Sequence, residues 1–256
     1  TQPFDDMLTA LAEQDCELDG LLAGLDEAGW ALPSRCAGWS ISDVVLHLAQ
    51  TGEMTVASAQ RRFTEVTAAF GNRTAAPAGA TVDDLAGLAV AAERGRPGFE
   101  VYERWRAASA DQAKALGACD AGTRLPWVAG ELSAITLATT RLAEVWIHTG
   151  DVAAGLGRDL IPGQRLRPIA RLAWRTIPYA FARAGQSLSG PVALALTAPD
   201  GTPWEFTPDG PAATTVTGPA LDFCLLAARR VSPSDTALVA DGPDAAAVLE
   251  LVRTFA

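Results

Sequence analysis

The segment 139–157, TTRLAEVWIHTGDVAAGLG, contains the pattern from which the rest of the chain can be interpreted. Its apolar residues recur at helical spacing. Glu144 and His148 are four residues apart and therefore project from one face of that helix. Arg141 and Asp151 extend the same stripe in both directions. A stripe of ionisable groups is usually solvated, but among apolar neighbours it also suits a buried binding site.

A second histidine lies in a similar setting. His47 is part of the segment 42–50, SDVVLHLAQ, and shares its helix face with Val44 and Met54. The chain has two histidines in all, and each lies in an apolar helical segment. Two helices of an antiparallel bundle can bring such groups together in the interior. A lone histidine in this position is more often a hydrogen-bonded core residue than a metal ligand, so the pairing with the first helix is what makes it informative.

His47, Glu144 and His148 together offer two imidazoles and one carboxylate. This set fits catalytic zinc, which leaves one position open for water or substrate. It also fits non-haem Fe²⁺ or another divalent metal. Because E-x-x-x-H is a weak pattern, spacing alone leaves two interpretations open, a metal site or core histidines beside a solvated helix face.

Two aspartates follow or precede the histidines within one helical turn. Asp151 is near His148, and Asp43 is near His47. Either carboxylate can accept the spare imidazole N–H and fix the ring, as outer partners of metal ligands commonly do. The alternative for both residues is an ordinary surface or capping aspartate.

Composition excludes several classes of protein. The chain has 256 residues, 49% of them apolar and 20% charged, which is incompatible with wholesale disorder. Its net charge of −10 comes without a basic cluster, so we expect no nucleic-acid partner. No apolar run approaches the roughly 20 residues that span a bilayer, and we expect no membrane partner. A single lysine, Lys114, disfavours Schiff-base chemistry.

The four cysteines lack the CxxC spacing of thiolate zinc sites and are too few for a disulfide framework. We interpret them as reduced thiols of a cytoplasmic protein that acts on a small molecule as a monomer or homodimer. Periodicity predicts helices over 3–29, 41–69, 81–116, 133–156 and 168–184, the third interrupted at 95–98, with loops at 71–80 and 117–130.

The pattern changes after Gly185. The segment 191–207, PVALALTAPDGTPWEFT, predicts a β-hairpin around a Pro-Asp-Gly turn. A strand over 214–217, a helix from Pro219, a strand over 236–240 and a helix over 245–255 follow. The prediction is therefore an α+β protein with two domains, residues 1–187 and 188–256, and an active-site cleft between them.

Three segments resemble one known family. They are RLAEVWIHTGDVAAGLG (141–157), CAGWSISDVVLHLAQ (36–50) and VTGPALDFCLLAARR (216–230). They are similar to the mycothiol-dependent maleylpyruvate isomerase family of DinB-like metal-binding proteins, and the last resembles an actinobacterial branch of it. The resemblance covers nearly the whole chain. It implies a DinB-like four-helix bundle followed by a small α+β, sterol-carrier-like domain.

The resemblance also implies a site and a chemistry. The metal would be held by His47, Glu144 and His148, with mycothiol or another small thiol as cosubstrate. The thiol would bind the open position as thiolate and attack an electrophilic carbon, giving addition, transfer or cis–trans isomerisation. In the isomerase an arginine of the C-terminal domain serves the substrate, and the matching region LAARR offers Arg229 or Arg230. Either arginine can instead be a helix-end residue that complements the macrodipole.

The sequence H-T-G-D at 148–151 stands where relatives often have H-G-Q-D, and Ile147 stands where they often have a smaller residue. We expect the fold and metal to survive this change, whereas the substrate need not. No catalytic side chain is assigned beyond the metal site. Two other functions stay open: a metal-dependent hydrolase or cyclase that uses bound water, in secondary metabolism or self-resistance, and a non-catalytic metal- or ligand-binding protein.

Overall fold

The computed structural model describes residues 2–74, 79–128 and 130–254. The chain divides into two compact units, residues 1–160 and 161–256. The first unit contains, in chain order, α1 (Gln2–Leu22), α2 (Glu27–Trp30), α3 (Ile41–Ala59), α4 (Phe63–Thr74), α5 (Val82–Glu93), α6 (Gly98–Gly117), β1 (Arg124–Trp127), β2 (Gly130–Ser133) and α7 (Ala134–Gly155). The second contains α8 (Leu166–Arg183), β3 (Val192–Thr197), β4 (Pro203–Phe206), β5 (Thr214–Pro219), α9 (Ala220–Ala227), β6 (Val239–Asp241) and α10 (Ala245–Leu251).

The four long helices of the first unit form a bundle. Helix α3 packs against α6 and α7, and α1 packs against the same two helices from the other side. Each helix turns an apolar stripe inward, so that Leu18, Val44, Trp105 and Leu142 are all buried. Burial of such stripes supplies most of the stability of a bundle. This arrangement is the predicted four-helix bundle, and it places α3 beside α7.

Local capping explains where three helices begin. Ser40 and Thr81 each accept a hydrogen bond from the backbone three residues on and form a capping box with an aspartate. Ser133 accepts from Thr136 N at the start of α7. Caps of this kind contribute about 1 kcal/mol each. The predicted starts of α3, α5 and α7 are therefore confirmed.

Two predicted helices are shorter than expected. The helix expected over 41–69 is broken at Arg61, which adopts a left-handed φ of 62°, and α4 begins after it. The first helix ends at Leu22, ahead of Gly24 at φ 83°. The region expected as a loop over 117–130 contains most of the β1–β2 hairpin, whose strands are too short to show an alternating pattern. Of the loop expected over 71–80, residues 75–78 lie outside the described residues.

The second unit is a four-stranded sheet with three helices. The strand order is β4-β3-β5-β6, with β3 parallel to β5 and the other pairs antiparallel. The predicted hairpin is the β3–β4 pair, and β3 alternates buried Leu194 and Leu196 with more exposed neighbours. The predicted fold class, α+β with a helical N-terminal part and a small sheet in the C-terminal part, is confirmed.

Helix α8 belongs to the second unit, because it packs against α9, α10 and β4. The division predicted at residue 187 placed this helix in the first domain. The change of sequence pattern at Gly185 marks the first strand of the sheet, whereas the unit boundary follows packing.

Among the residues described, no helix is both long enough and apolar enough to cross a bilayer.

Candidate metal centre

Two helices bring the three predicted ligands together. Helix α3, fixed at its start by the Ser40 cap, carries His47 in its second turn, and α7 carries Glu144 and His148 one turn apart. Glu144 Oε1 lies 2.6 Å from His47 Nε2 and 3.4 Å from His148 Nε2. The ligand atoms of all three side chains lie within 4.8 Å of one another. One carboxylate oxygen therefore faces two imidazole nitrogens.

The group is almost closed to solvent. His47, Glu144 and His148 are only 7%, 8% and 9% exposed. The two imidazole rings are 5.0 Å apart, edge to face. Burying a carboxylate among apolar residues is unfavourable unless a cation or several donors compensate it. Imidazole N–H groups or a cation must therefore compensate the carboxylate at the point where the three side chains meet.

The protonation states follow from the same contacts. Burial lowers the pKa of His47, and the contact with Glu144 opposes this only in part. Burial also acts to lower the pKa of His148, but hydrogen bonds to Asp151, Cys36 and Glu144 outweigh it and hold that pKa well above its ordinary value. Burial acts to raise the pKa of Glu144, yet the two histidines outweigh it and hold that pKa well below its usual range. In the metal-free protein these shifts favour a neutral His47, an ionised Glu144 and a protonated His148.

Asp151 lies against His148, which is one of the two placements that the sequence left open. Its Oδ2 lies 2.9 Å from His148 Nδ1, and the residue is completely buried. The contact occupies Nδ1 and leaves Nε2 directed toward Glu144. A carboxylate in this position fixes the ring orientation and tautomer of a metal-binding histidine.

Asp43 has a different role. Its Oδ2 accepts from Ser40 N at 2.9 Å, which completes the capping box of α3. Its Oδ1 accepts from Arg94 Nε at 2.9 Å. The structure therefore corrects the orienting role suggested for Asp43. Because Asp43 is the third residue of α3, its carboxylate turns back to the free backbone N–H groups of the first turn. The capping alternative is the one observed.

Cys36, which sequence reasoning left among the reduced thiols, lies beside this centre. Its Sγ is 3.1 Å from Asp151 Oδ2 and 3.8 Å from His148 Nδ1. Cys36, His148 and Asp151 form a second group whose possible ligand atoms lie within 4.8 Å of one another. No spacing in the sequence links Cys36 to α7, so packing alone reveals it.

A cavity of about 720 Å³ is lined by Cys36 and Trp39, which are neighbours of His148 and His47 respectively. Arg94 and Asp43 also line it. The half-buried indole of Trp39 lies 5.4 Å from the His47 ring, centroid to centroid. Both histidines therefore have a neighbour on the cavity wall.

Arg141, the remaining member of the α7 stripe, is inside the bundle and only 2% exposed. Its Nε donates to Gln112 Oε1 at 2.8 Å. Burial lowers its pKa, and the charges of Glu144 and Asp15 oppose that. A buried guanidinium near Glu144 adds to the positive charge that this carboxylate requires.

The two predicted substrate-binding arginines lie in the second unit, just after α9. Arg229 is exposed at a left-handed φ of 62°, and its Nη1 donates to Glu250 O at 3.2 Å. Arg230 Nη1 donates to Ala228 O at 2.8 Å. These bonds fit the helix-end alternative, and the substrate-binding role of either residue stays a prediction.

Comparison with known proteins gives consistent results over the whole chain. Residues 11–153 match the mycothiol maleylpyruvate isomerase N-terminal domain, and residues 169–249 match the MDMPI C-terminal domain. Two curated proteins of Mycobacterium tuberculosis, from strains CDC 1551 / Oshkosh and ATCC 25618 / H37Rv, are each 36% identical over 249 residues. The aligned region covers 96% of this chain and 93% of each relative, and both relatives are described as uncharacterised.

Two crystal structures have a similar fold. The mycothiol-dependent maleylpyruvate isomerase aligns with a TM-score of 0.62 at 18% identity, covering 94% of this chain and 95% of the other. A histidine-to-alanine mutant of that isomerase aligns with a TM-score of 0.61 at 17% identity and the same coverage. At this level of identity the likeness establishes the fold alone.

Proposed function

Since this chain belongs to the mycothiol maleylpyruvate isomerase family, we propose that it is a thiol-dependent enzyme with a divalent metal at His47, Glu144 and His148. The preferred metal is zinc, and the preferred thiol is mycothiol or a close analogue. The observation that carries the proposal is the convergence of two imidazoles and one buried carboxylate within 4.8 Å. The reaction class is thiol addition to an electrophilic small molecule, leading to transfer or cis–trans isomerisation.

The donor set fits such a metal. Catalytic zinc sites use three protein ligands and keep a fourth position open, whereas structural sites are closed by four. A zinc ion held here would lower the pKa of a bound thiol and act as a Lewis acid. The negative charge of Glu144 is compensated by the proton on His148 in the metal-free protein. A divalent cation at the same place would compensate that charge as well.

The chain's own residues prepare the site. Asp151 holds Nδ1 of His148, so that Nε2 is directed to the ligand position. Hydrogen bonds and charges from His148 and His47 hold the pKa of Glu144 well below its usual range, which favours its ionised form. Trp39 shields the His47 ring on the cavity side. These groups keep the His47 imidazole neutral and fix the orientation of the His148 ring, and a metal that binds His148 would displace its proton.

The proposal is tested by metal analysis together with thiol dependence of turnover. The zinc-loaded protein is incubated with maleylpyruvate and related electrophilic acids, with mycothiol, with a simple thiol and without thiol. We expect turnover that needs both zinc and thiol. Turnover without thiol would support the hydrolase or cyclase alternative, and stoichiometric zinc without turnover on any substrate would support a non-catalytic metal-binding protein.

His148→Ala is the decisive variant, because it removes one ligand and leaves the apolar face of α7 intact. We expect it to lose bound metal and activity while its far-ultraviolet circular dichroism stays close to that of the wild type. The control is Glu65→Gln, which changes an exposed carboxylate on α4. Full zinc occupancy in the His148 variant would refute the assignment of the ligands.

A further inference from the structure

The loop of residues 33–39, which lies between α2 and α3, touches both histidines of the metal centre. Cys36 Sγ is 3.8 Å from His148 Nδ1, and the Trp39 ring is 5.4 Å from the ring of His47. The same two residues line the 720 Å³ cavity. The 33–39 loop therefore lies between that cavity and the metal ligands.

This loop is fixed to the end of α7. Arg35 N donates to Asp151 O at 3.2 Å, and Cys36 Sγ donates to Asp151 Oδ2 at 3.1 Å. The backbone of Pro33 comes so close to Gly155 that a Cβ at this glycine would lie 2.6 Å from Pro33 O. Since a side chain there would push the loop away, Gly155 is required for the close approach. Backbone and side-chain contacts thus hold the loop against the turn of α7 that carries Asp151.

The loop is also braced internally. Ser34 Oγ donates to Trp39 O at 2.8 Å and accepts from Cys36 N at 3.1 Å. Ser34 N donates to Trp39 O at 2.9 Å as well. One serine therefore ties together the two residues that reach the histidines, and displacement of either would disturb the other.

The position of the Cys36 side chain is specific. Asp151 Oδ2 accepts from His148 Nδ1 at 2.9 Å and from the Cys36 thiol at 3.1 Å, so one oxygen atom serves both. Asp151 is completely buried, whereas Cys36 is half-buried and lines the cavity. Removing the sulfur would admit cavity water to this oxygen, and water would compete with His148 for it.

We propose that Cys36 is a positioning residue of the metal centre. Its sulfur closes Asp151 off from the cavity, and its S–H···O contact fixes the carboxylate that orients His148. The assignment rests on the proposed function, because His148 is taken as a metal ligand. A thiol suits the place because it is apolar enough to exclude water and still a weak donor.

The first measurement is zinc affinity, obtained by competition with a chromophoric chelator. Loss of an outer partner of a metal ligand typically weakens binding about 10- to 100-fold, which we expect for Asp151→Asn. For Cys36→Ala we expect a loss of roughly three- to tenfold, since a weaker contact acts through Asp151. Cys36→Ser keeps a donor and should recover most of the affinity. Cys119→Ala is the matched control, a half-buried thiol of the same unit that lies just after α6 and donates to Ala115 O at 3.4 Å.

Cobalt substitution adds a readout that a purely structural role would not change. The visible absorption of Co²⁺ reports ligand geometry, so Cys36→Ala should alter the spectrum and Cys36→Ser should restore it. If the alanine variant fails to fold, Cys36→Val, which keeps the bulk without the donor, decides the same question. Wild-type affinity and an unchanged cobalt spectrum in Cys36→Ala or Cys36→Val would overturn the proposal.

A second measurement separates this inference from the proposed function. The chain has two histidines, so the imidazole region of a ¹⁵N nuclear magnetic resonance spectrum contains two ring systems. In metal-free protein we expect the His148 Nδ1–H proton to exchange slowly with water, and faster in Cys36→Ala. If the wild type binds no zinc, the proposed function fails, but the exchange rates still decide the role of Cys36. Equal exchange in wild type, Cys36→Ala and Cys119→Ala would refute it.

Discussion

Replacing Glu144 by glutamine tests the metal centre at the carboxylate that faces both histidines. Oε1 of Glu144 faces both His47 Nε2 and His148 Nε2, at 2.6 and 3.4 Å. The substitution keeps the shape of the side chain but removes its charge and replaces one oxygen by an amide nitrogen, which has no lone pair for a metal. The change should therefore affect binding of a cation far more than packing of α7.

The expected magnitude follows from the ligand count. Four-ligand structural zinc sites have apparent binding energies of about 10–16 kcal/mol, or roughly 2.5–4 kcal/mol per ligand. Because 1.4 kcal/mol corresponds to a factor of ten, Glu144→Gln should weaken zinc binding by roughly 60- to 700-fold. The pKa of His148 should also fall toward its ordinary value in metal-free protein, since the Glu144 contact helps to raise it.

The assay is competition for zinc with a chelator of known affinity, paired with a pH titration of the two imidazoles by nuclear magnetic resonance. Glu65→Gln, on the exposed surface of α4, is the control for loss of one negative charge. An affinity within threefold of the wild type in Glu144→Gln, together with an unchanged His148 titration, would show that the carboxylate neither binds the metal nor sets the charge of the site.

Three further predictions concern protons and charge. Because the pKa of His148 is held well above its ordinary value, zinc binding at pH 7 should release about one proton, and the zinc affinity should fall roughly tenfold per pH unit of acidification. Calorimetry in buffers of different ionisation enthalpy counts the protons released, and a count of zero would contradict the prediction. If the substrate is an anionic acid, Arg229→Ala or Arg230→Ala should lower kcat/KM by roughly ten- to a hundredfold and leave the zinc content unchanged. The reason is that a charge-assisted hydrogen bond contributes ~1.5–3 kcal/mol. Near-wild-type kinetics in both variants would exclude a substrate-binding role for these arginines. Burial raises the pKa of Asp15 from 3.8 to about 7, so its stabilising protonated form is lost as the pH rises through that value. At ~1.36 kcal/mol per pKa unit, the free energy of unfolding of Asp15→Asn should gain roughly 3–4 kcal/mol on that of the wild type between pH 4 and pH 8. Urea unfolding at several pH values measures this, and a stability difference that does not change with pH would contradict it.

Features that depend on neighbouring residues were accessible from the sequence. The starts of α3, α5 and α7 were predicted to within a residue, and each start depends on a cap whose contact is three positions away. The Glu144–His148 pair is one helical turn long, and the β3–β4 hairpin follows from a Pro-Asp-Gly turn between apolar segments. The family resemblance, read from three short motifs, was also correct.

Short elements and boundaries were less accessible. The β1–β2 hairpin consists of two four-residue strands, which carry too few residues for periodicity to show. Helix α8 looks like its N-terminal predecessors in sequence, and only its packing on α9, α10 and β4 assigns it to the second unit. In both cases the deciding contacts are with residues distant in the chain.

The comparison of Asp43 with Asp151 shows most clearly which features follow from sequence spacing and which depend on the tertiary structure. Each aspartate lies within about one turn of a histidine, so spacing alone does not distinguish their roles. Asp43 is at the start of a helix, where free backbone N–H groups and Arg94 take its carboxylate. Asp151 is near the end of a helix, where those N–H groups are already bonded, and the donors within its reach are His148 and the Cys36 thiol.

The sequence by itself determined the starts of α3, α5 and α7, the change to a small sheet and the identity of three candidate ligands, because these depend on spacing within a few residues. Only the tertiary structure joined His47 to Glu144 across 97 residues and Cys36 to Asp151 across 115. Those contacts depend on how α3, α7 and the 33–39 loop pack, and packing is set by the shapes of buried surfaces, which local periodicity does not encode.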